Sequence, residues 1–151
     1  MSDTATRIPE DIKTAMRAKD TTALNALRAL KSALMNAAIE KGNLSVVLEE
    51  SEVLAVIRKQ IKQRVDSCEQ FENAGRPELA ATEKTEIQIL SRYLPAALGE
   101  QELAAIIGQS IIDTAATNKA DMGKVMKRAQ ELAEGRADGK ILSAAVMKRL
   151  S

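Results

Sequence analysis

The chain has 151 residues, of which 45% are apolar and 28% charged, and its formal net charge is +1. These proportions exclude a disordered chain and fit one ordinary domain or two small ones. The balanced charge gives no global indication of a nucleic-acid or membrane partner. With no His and one Cys, the sequence excludes an internal disulfide, a Cys-based zinc site and a histidine general base. We therefore predict no catalytic, metal or cofactor site.

The composition favours helix, because 25 residues are Ala while Tyr and Phe occur once each and Trp is absent. The N-terminus begins Met1-Ser2-Asp3-Thr4 without an apolar segment, so we expect no secretory signal. Apolar runs fall short of the roughly 18 residues that a membrane span needs. The lone Cys suits a reducing compartment, and we expect a cytoplasmic location.

Two helices are predicted at the start of the chain. The first is expected to begin near Pro9, since proline is tolerated in a first helical turn, and its apolar positions are Ile8, Ile12, Ala15 and Met16. Asp20 is a good N-cap for the second helix and Gly42 a good C-terminal stop. The second helix carries an apolar stripe at Leu24, Leu27, Leu30, Leu34 and Ala38.

The third and fourth helices follow a linker over residues 43–48. The third has the clearest stripe, in which steps of three and four residues join Leu54, Ile57, Ile61, Val65, Cys68 and Phe71. Gly75 ends it, and Pro77 fits the first turn of the fourth helix. The fourth carries Leu79, Glu83, Ile87, Leu90 and Leu94 along one face, and Pro95 stops it. Long helices with short connections predict antiparallel neighbours in a helical bundle or hairpin.

From Gly99 onward the predicted helices are shorter. Their stripes are Leu103, Ile106, Ile107 and Ile111; then Met122, Val125, Met126 and Ala129; then Ile141, Leu142, Ala145, Val146 and Leu150, with Asp138 as the cap of the last helix. We predict an all-α protein with a long-helix unit over residues 1–96 and a small three-helix unit over 97–151. The second unit has a marginal core, so we expect it to dock on the first unit or on a partner.

Five blocks of sequence, in order along the chain, resemble the YqeY-like family. They are Leu27-Arg28-Ala29-Leu30-Lys31-Ser32-Ala33-Leu34; Asp66-Ser67-Cys68-Glu69-Gln70-Phe71 with Ala74-Gly75-Arg76; Glu86-Ile87-Gln88-Ile89-Leu90 with Tyr93-Leu94-Pro95; Asp121-Met122-Gly123-Lys124-Val125-Met126; and Gly135-Arg136-Ala137-Asp138-Gly139-Lys140. Each block alone is weak, but five in sequence are specific. The C-terminal half of that family is similar to the tail domain of the B subunit of the tRNA-dependent amidotransferase.

The resemblance implies an N-terminal helical unit joined to a tail-like helical unit. In the amidotransferase the tail helps to hold misacylated tRNA while glutamine-derived ammonia converts the attached Glu or Asp of Glu-tRNA or Asp-tRNA to its side-chain amide. The implied partners are therefore tRNA or a tRNA-charging or amidating enzyme. The implied family label is a carbon–nitrogen ligase with glutamine as amido-N-donor. The chain shows no P-loop and no catalytic triad, so we expect no such activity from it alone.

The tail-like region is mildly basic, since residues 121–151 hold seven basic and four acidic side chains. The cations expected to contact an RNA backbone are Lys124, Lys127, Arg128, Arg136 and Lys140. The alternative is ordinary surface charge around a capped turn. Without interleaved aromatic residues, recognition by shape and backbone is expected rather than reading of bases. Gly123, within the predicted stripe, is expected to allow close approach of another helix, with approach of an RNA backbone as the lesser alternative.

A secondary basic stripe lies on the third predicted helix and consists of Arg58, Lys59 and Lys62. Phosphate contact and an ordinary solvated face are both open for it, and nearby acidic residues favour the latter. Cys68 is interpreted as a small core residue, because no histidine is present to activate a thiol. Three functions follow as hypotheses: a non-catalytic tRNA-associated accessory module, a protein-interaction adaptor for a synthetase or amidotransferase, and a glutamine-dependent ligase.

Overall fold

The computed structural model describes residues 3–150, and within that range the chain is all-α, as predicted, with no strand. The seven α-helices are α1 (Asp3–Ala18), α2 (Thr21–Lys41), α3 (Glu50–Asn73), α4 (Pro77–Ser91), α5 (Glu100–Thr114), α6 (Met122–Ala133) and α7 (Gly139–Leu150), and a 3-10 helix (Lys119–Asp121) precedes α6. Over the described residues, none of these helices is both long and apolar enough to span a bilayer.

The contacts divide the chain into two compact units between Leu94 and Pro95. In the first unit α3 packs along α4, α1 along α2, and α2 also contacts α3 and α4. Burial of apolar side chains where these helices meet provides the main stabilisation of the unit. Its fully enclosed core positions include Ile8, Ala26, Leu30, Val53, Ile57 and Leu90.

Two of the predicted helix ends are confirmed in the first unit. The side chain of Asp20 accepts a hydrogen bond from the backbone N–H of Ala23 at 3.1 Å, which satisfies a free donor at the start of α2. The N–H of Gly42 bonds back to the carbonyl of Ala38 at 3.0 Å and closes the end of α2. Local chemistry therefore fixes the length of α2.

The predicted start of α1 is wrong. The helix begins at Asp3, so Pro9 lies inside it rather than in its first turn. Thr4, Ile8 and Ala15 form the buried face, while Met16 is 53% exposed instead of in the core. The burial of Ile8 and Thr4 stabilises the helical turns before Pro9. The position of a proline in the sequence does not reveal this tertiary packing.

Three predicted core positions on other helices are also wrong. Val65 on α3, Leu79 on α4 and Ile141 on α7 are all exposed. On α3 the enclosed side chains are Val53, Leu54, Ile57 and Cys68, so the buried face is interrupted in the middle of the helix. Arg64 lies in that interval, and its side chain contacts α4 in place of an apolar one.

The second unit packs α5, α6 and α7 against one another around an apolar core. The core residues are Ile107, Val125, Ala129, Ala133, Leu142 and Val146. The carboxylate of Asp138 accepts the N–H of Ile141 at 2.9 Å, which confirms its predicted capping role at α7. The prediction for Gly123 is wrong: it is the second residue of α6, and a Cβ built there would meet no atom within 4 Å.

Candidate nucleic-acid interface

One face of α6 gathers three of the predicted RNA-contacting cations. Lys124, Lys127 and Arg128 line a shallow cavity of about 300 Å³ together with Thr114 and Glu131. Residues three, four and seven positions apart share a helix face, so the repeat itself places these side chains side by side. The opposite face of α6, with Val125, Ala129 and Ala133, is buried in the core of the second unit. The basic face of the helix is therefore directed to solvent.

Acidic neighbours already hold Arg128. Its Nε lies 2.8 Å from the Asp113 Oδ2 atom on α5, and its Nη1 lies 3.0 Å from Glu131 Oε2. Hydrogen bonds from Arg128 and then from Gln109 hold the pKa of Asp113 below its usual range. The same two carboxylates raise the pKa of Arg128, so its guanidinium is fully charged and fixed in position.

The two lysines of the cavity are exposed and make no ion pair within the described part of the chain. Lys124 contributes to the lowered pKa of Asp121, although the main cause is the hydrogen bond from the Thr117 backbone N–H. The three cations Lys124, Lys127 and Arg128, set against the carboxylates of Asp113 and Glu131, leave a net charge of +1 and so a modest positive field at this face. Such a field suits contact with a phosphate oxygen more than tight capture of a small anion.

The structure does not bring the other two predicted cations into this cavity. Arg136 lies in the turn after α6, where its Nη1 is 2.9 Å from Glu102 Oε2 and its Nε donates to the carbonyl of Ala96 at 3.0 Å. These contacts tie the turn to the start of α5, so Arg136 acts in holding this unit together. Lys140 is exposed in the first turn of α7.

The secondary stripe is confined to α3 in the first unit. Lys59 and Lys62 are exposed, whereas Arg58 is half-buried and already has an interaction within the chain. The neighbouring Arg64 is committed to Glu86, with both side chains only 13% exposed. Lys59 and Lys62 are thus the cations of this stripe that form no ion pair with the described residues.

No group of three metal-binding side chains is found among the residues that the structure describes. Cys68 is buried, and its thiol lies 3.6 Å from the carbonyl oxygen of Ala80 on α4. Burial, followed by the charge of Glu72, raises the pKa of that thiol. A protonated, enclosed thiol is a poor nucleophile, in agreement with its interpretation as a core residue.

The sequence did not point to Thr114 as a lining residue of the α6 cavity, or to Asp113 as a partner of Arg128. Glu131 follows Arg128 by three positions on one helix, and this spacing could have indicated their pairing. Asp113 lies on a different helix, 15 residues earlier, and pairs with Arg128 only because α5 and α6 pack together. That pairing depends on tertiary structure and has no local signal.

Comparison with known proteins places the chain in a family. The family described as Yqey-like protein matches residues 5–150. A relative named "Altered inheritance of mitochondria protein 41, mitochondrial", from Pyrenophora tritici-repentis, is 32% identical over 134 residues, which cover 87% of this chain and 71% of the relative. Its namesake from Clavispora lusitaniae is 35% identical over 94 residues, or 60% of this chain and 53% of the relative.

A third relative of the same name, from Lachancea thermotolerans, is 34% identical over 92 residues, which cover 61% of this chain. The match spans about half the length of the Clavispora and Lachancea proteins, at 53% and 48%. The extent of the family match, together with the similarity to the Pyrenophora protein, shows that the chain belongs to the YqeY-like family.

Proposed function

We propose that the chain is a non-catalytic accessory module that associates with tRNA through the basic face of α6. The observation that carries this proposal is the shared cavity of Lys124, Lys127 and Arg128, in which both lysines are exposed and lack an ion pair among the described residues. The resemblance of the C-terminal half to the amidotransferase B-subunit tail supplies tRNA as the class of RNA. Arg136 and Lys140 are peripheral in this proposal.

The mode of contact would be electrostatic and directed at the phosphate backbone. The aromatic residues of the chain, Phe71 and Tyr93, both belong to the first unit, and no aromatic side chain lines the α6 cavity. Stacking on unpaired bases is therefore not available at this face. Backbone contacts of this kind release counterions, so the affinity should fall steeply as salt is raised.

A titration of labelled tRNA with the full chain over a series of salt concentrations tests the proposal. We expect the double variant Lys124→Gln/Lys127→Gln to weaken binding about tenfold at low salt and to reduce the slope of log affinity against log salt by about 1.5. The matched control is Arg28→Gln/Lys31→Gln, which removes two exposed cations at the same spacing on α2. Equal losses in both variants, or equal binding of random-sequence RNA, would contradict the proposal.

A third variant acts in the opposite direction. Asp113→Asn removes one of the two carboxylates that neutralise Arg128, so the cavity gains positive charge while Thr114 and both lysines keep their positions. We expect tRNA to bind this variant several-fold more tightly, with a steeper salt slope. Unchanged affinity would show that RNA does not approach this face.

Two experiments separate this proposal from the other hypotheses. Protein partners that co-purify with the chain after nuclease treatment would favour an adaptor for a tRNA-charging or amidating enzyme. Glutaminase or ATPase activity of the purified chain, abolished by a point mutation, would favour the glutamine-dependent ligase. The cytoplasmic location stays a prediction, and the word "mitochondrial" in the names of the fungal relatives is said of those proteins.

A further inference from the structure

A second concave site lies wholly within the first unit, at the junction of α1, the start of α2 and the end of α4. Its volume is about 330 Å³, which is at the lower end of the range for small-molecule sites. The floor is apolar and enclosed, and it consists of Ala15, Ala23, Leu27 and Ile89. The floor excludes water from one side of any molecule that enters.

Charges of both signs surround this floor. Two guanidinium groups, those of Arg7 and Arg92, and two carboxylates, those of Asp11 and Asp20, line the same cavity. No ion pair within 4 Å joins any of these four to another of the residues that the structure describes. The rim therefore has two cations and two anions that form no ion pair with the described residues, and its net charge is zero.

Both carboxylates are held in place by one oxygen only. The hydroxyl of Tyr93 donates to Oδ2 of Asp11, and the backbone N–H of Ala23 donates to Oδ1 of Asp20. The second oxygen of each carboxylate has no hydrogen bond from the described part of the chain. These two oxygens can accept hydrogen bonds from a ligand without loss of an existing contact.

Tyr93 contacts two of the charged side chains of the rim. Tyr93 is 6% exposed, and the guanidinium carbon of Arg7 lies 5.1 Å from its ring centroid, within the range of a cation–π contact. Burial, and then the hydrogen bond to Asp11, raises the pKa of Tyr93, so the phenol remains protonated and keeps donating at neutral pH. One side chain thus positions both a cation and an anion of the rim.

We propose that this cavity, which we call the bipolar cavity, binds a small zwitterion of the α-amino acid class. Its ammonium group would contact both Asp11 and Asp20, its carboxylate would contact both Arg7 and Arg92, and its aliphatic part would cover the apolar floor. A purely anionic ligand would meet the two carboxylates, and a purely cationic one the two guanidinium groups. Only a ligand with both charges complements the whole rim.

Binding to the bipolar cavity is tested with the twenty standard L-amino acids, one at a time. Calorimetry and thermal shift measure the binding of each to the full chain. We expect at least one to bind saturably below about 1 mM, while its N-acetyl and methyl ester derivatives bind about tenfold more weakly because each removes one charge. Absence of saturable binding by all twenty at about 10 mM, or equal binding of a derivative, would overturn the proposal.

Variants locate the site. Asp11→Asn keeps an acceptor for the Tyr93 hydroxyl, and Arg92→Gln removes an exposed cation, so neither disturbs the enclosed floor. We expect each to weaken amino acid binding at least about tenfold, while Arg17→Gln, an exposed position outside the cavity, leaves it unchanged. Unchanged binding in the first two variants would refute the site. The Lys124→Gln/Lys127→Gln variant should retain amino acid binding, so the two proposals fail independently.

Discussion

The two units differ in whether they enclose an ion pair, although both have exposed ones. In the first, an ion pair between Arg64 and Glu86 is nearly enclosed between α3 and α4, with both side chains 13% exposed. In the second, the core is apolar apart from Ser110, and the arginines of its ion pairs, Arg128 and Arg136, are 38% and 37% exposed. Enclosed charges are part of the packing, whereas exposed ones remain open to an external partner.

The largest effect is expected in the apolar core of the second unit. Leu142→Ala removes a side chain that is 1% exposed, and it should lower the free energy of unfolding by about 2–5 kcal/mol. Because that core is small, this loss should unfold much of the unit. Chemical denaturation followed by circular dichroism measures it. Ile112→Ala, at a side chain that is 73% exposed, is the control and should change stability little.

The next effect is expected at the enclosed ion pair of the first unit. Glu86→Gln removes the carboxylate next to Arg64 Nε, 3.0 Å away, and leaves a guanidinium with reduced access to water. We expect a loss of about 2–3 kcal/mol in the free energy of unfolding. Glu69→Gln on the exposed face of α3 is the matched control. Equal effects of the two variants would mean that the pair is not part of the packing.

A smaller and opposite effect is expected at Glu83, where one carboxylate oxygen is enclosed and has no hydrogen-bond partner among the described residues. Burial, then the charge of Glu86, raises the pKa of Glu83. A raised pKa in the folded state means that folding favours the protonated form, so this contribution is present in acid and lost as pH rises through that pKa.

The neutral substitution Glu83→Gln should therefore stabilise the chain at pH 7. The gain should be below about 1 kcal/mol, since the carboxylate keeps partial access to water. Thermal unfolding of both proteins between about pH 4 and pH 8 measures it, and the difference should shrink toward acid. A variant that is less stable than the parent at pH 7 would show that Glu83 makes a favourable interaction.

The smallest effect on stability is expected for the exposed pair of the second unit. Asp113→Asn breaks the 2.8 Å contact with Arg128, but Glu131 still pairs with that guanidinium, and solvent screens both groups. The melting temperature should change little, even though we expect tRNA affinity to rise. A marked loss of stability would show that the Arg128–Asp113 pair contributes to packing as the Arg64–Glu86 pair does. The contrast between the units would then not hold.

Local signals in the sequence predicted most of the helices and several of their ends. Asp20, Gly42 and Asp138 act where they were expected, because capping depends on a few neighbouring atoms. The basic face of α6 was visible for the same reason, since the helical repeat alone brings Lys124 and Lys127 together.

Features that depend on packing between helices were not visible. The pairing of Arg128 with Asp113 requires α5 to lie beside α6. The bipolar cavity was missed for a related reason: with α1 expected to begin near Pro9, Arg7 lay outside any helix, and its alignment with Asp11 on one face could not be recognised. Tyr93 reaches that face from a position 82 residues away in sequence.

Cys68 gives the protein a built-in chemical reporter. Its thiol is largely enclosed between α3 and α4, so we expect alkylation to be slow unless the packing of these two helices opens. The rate of alkylation in native buffer therefore measures how often this helix pair opens, and no engineered label is required. A molecule that stabilises the packing of α3 against α4 would slow the alkylation of Cys68.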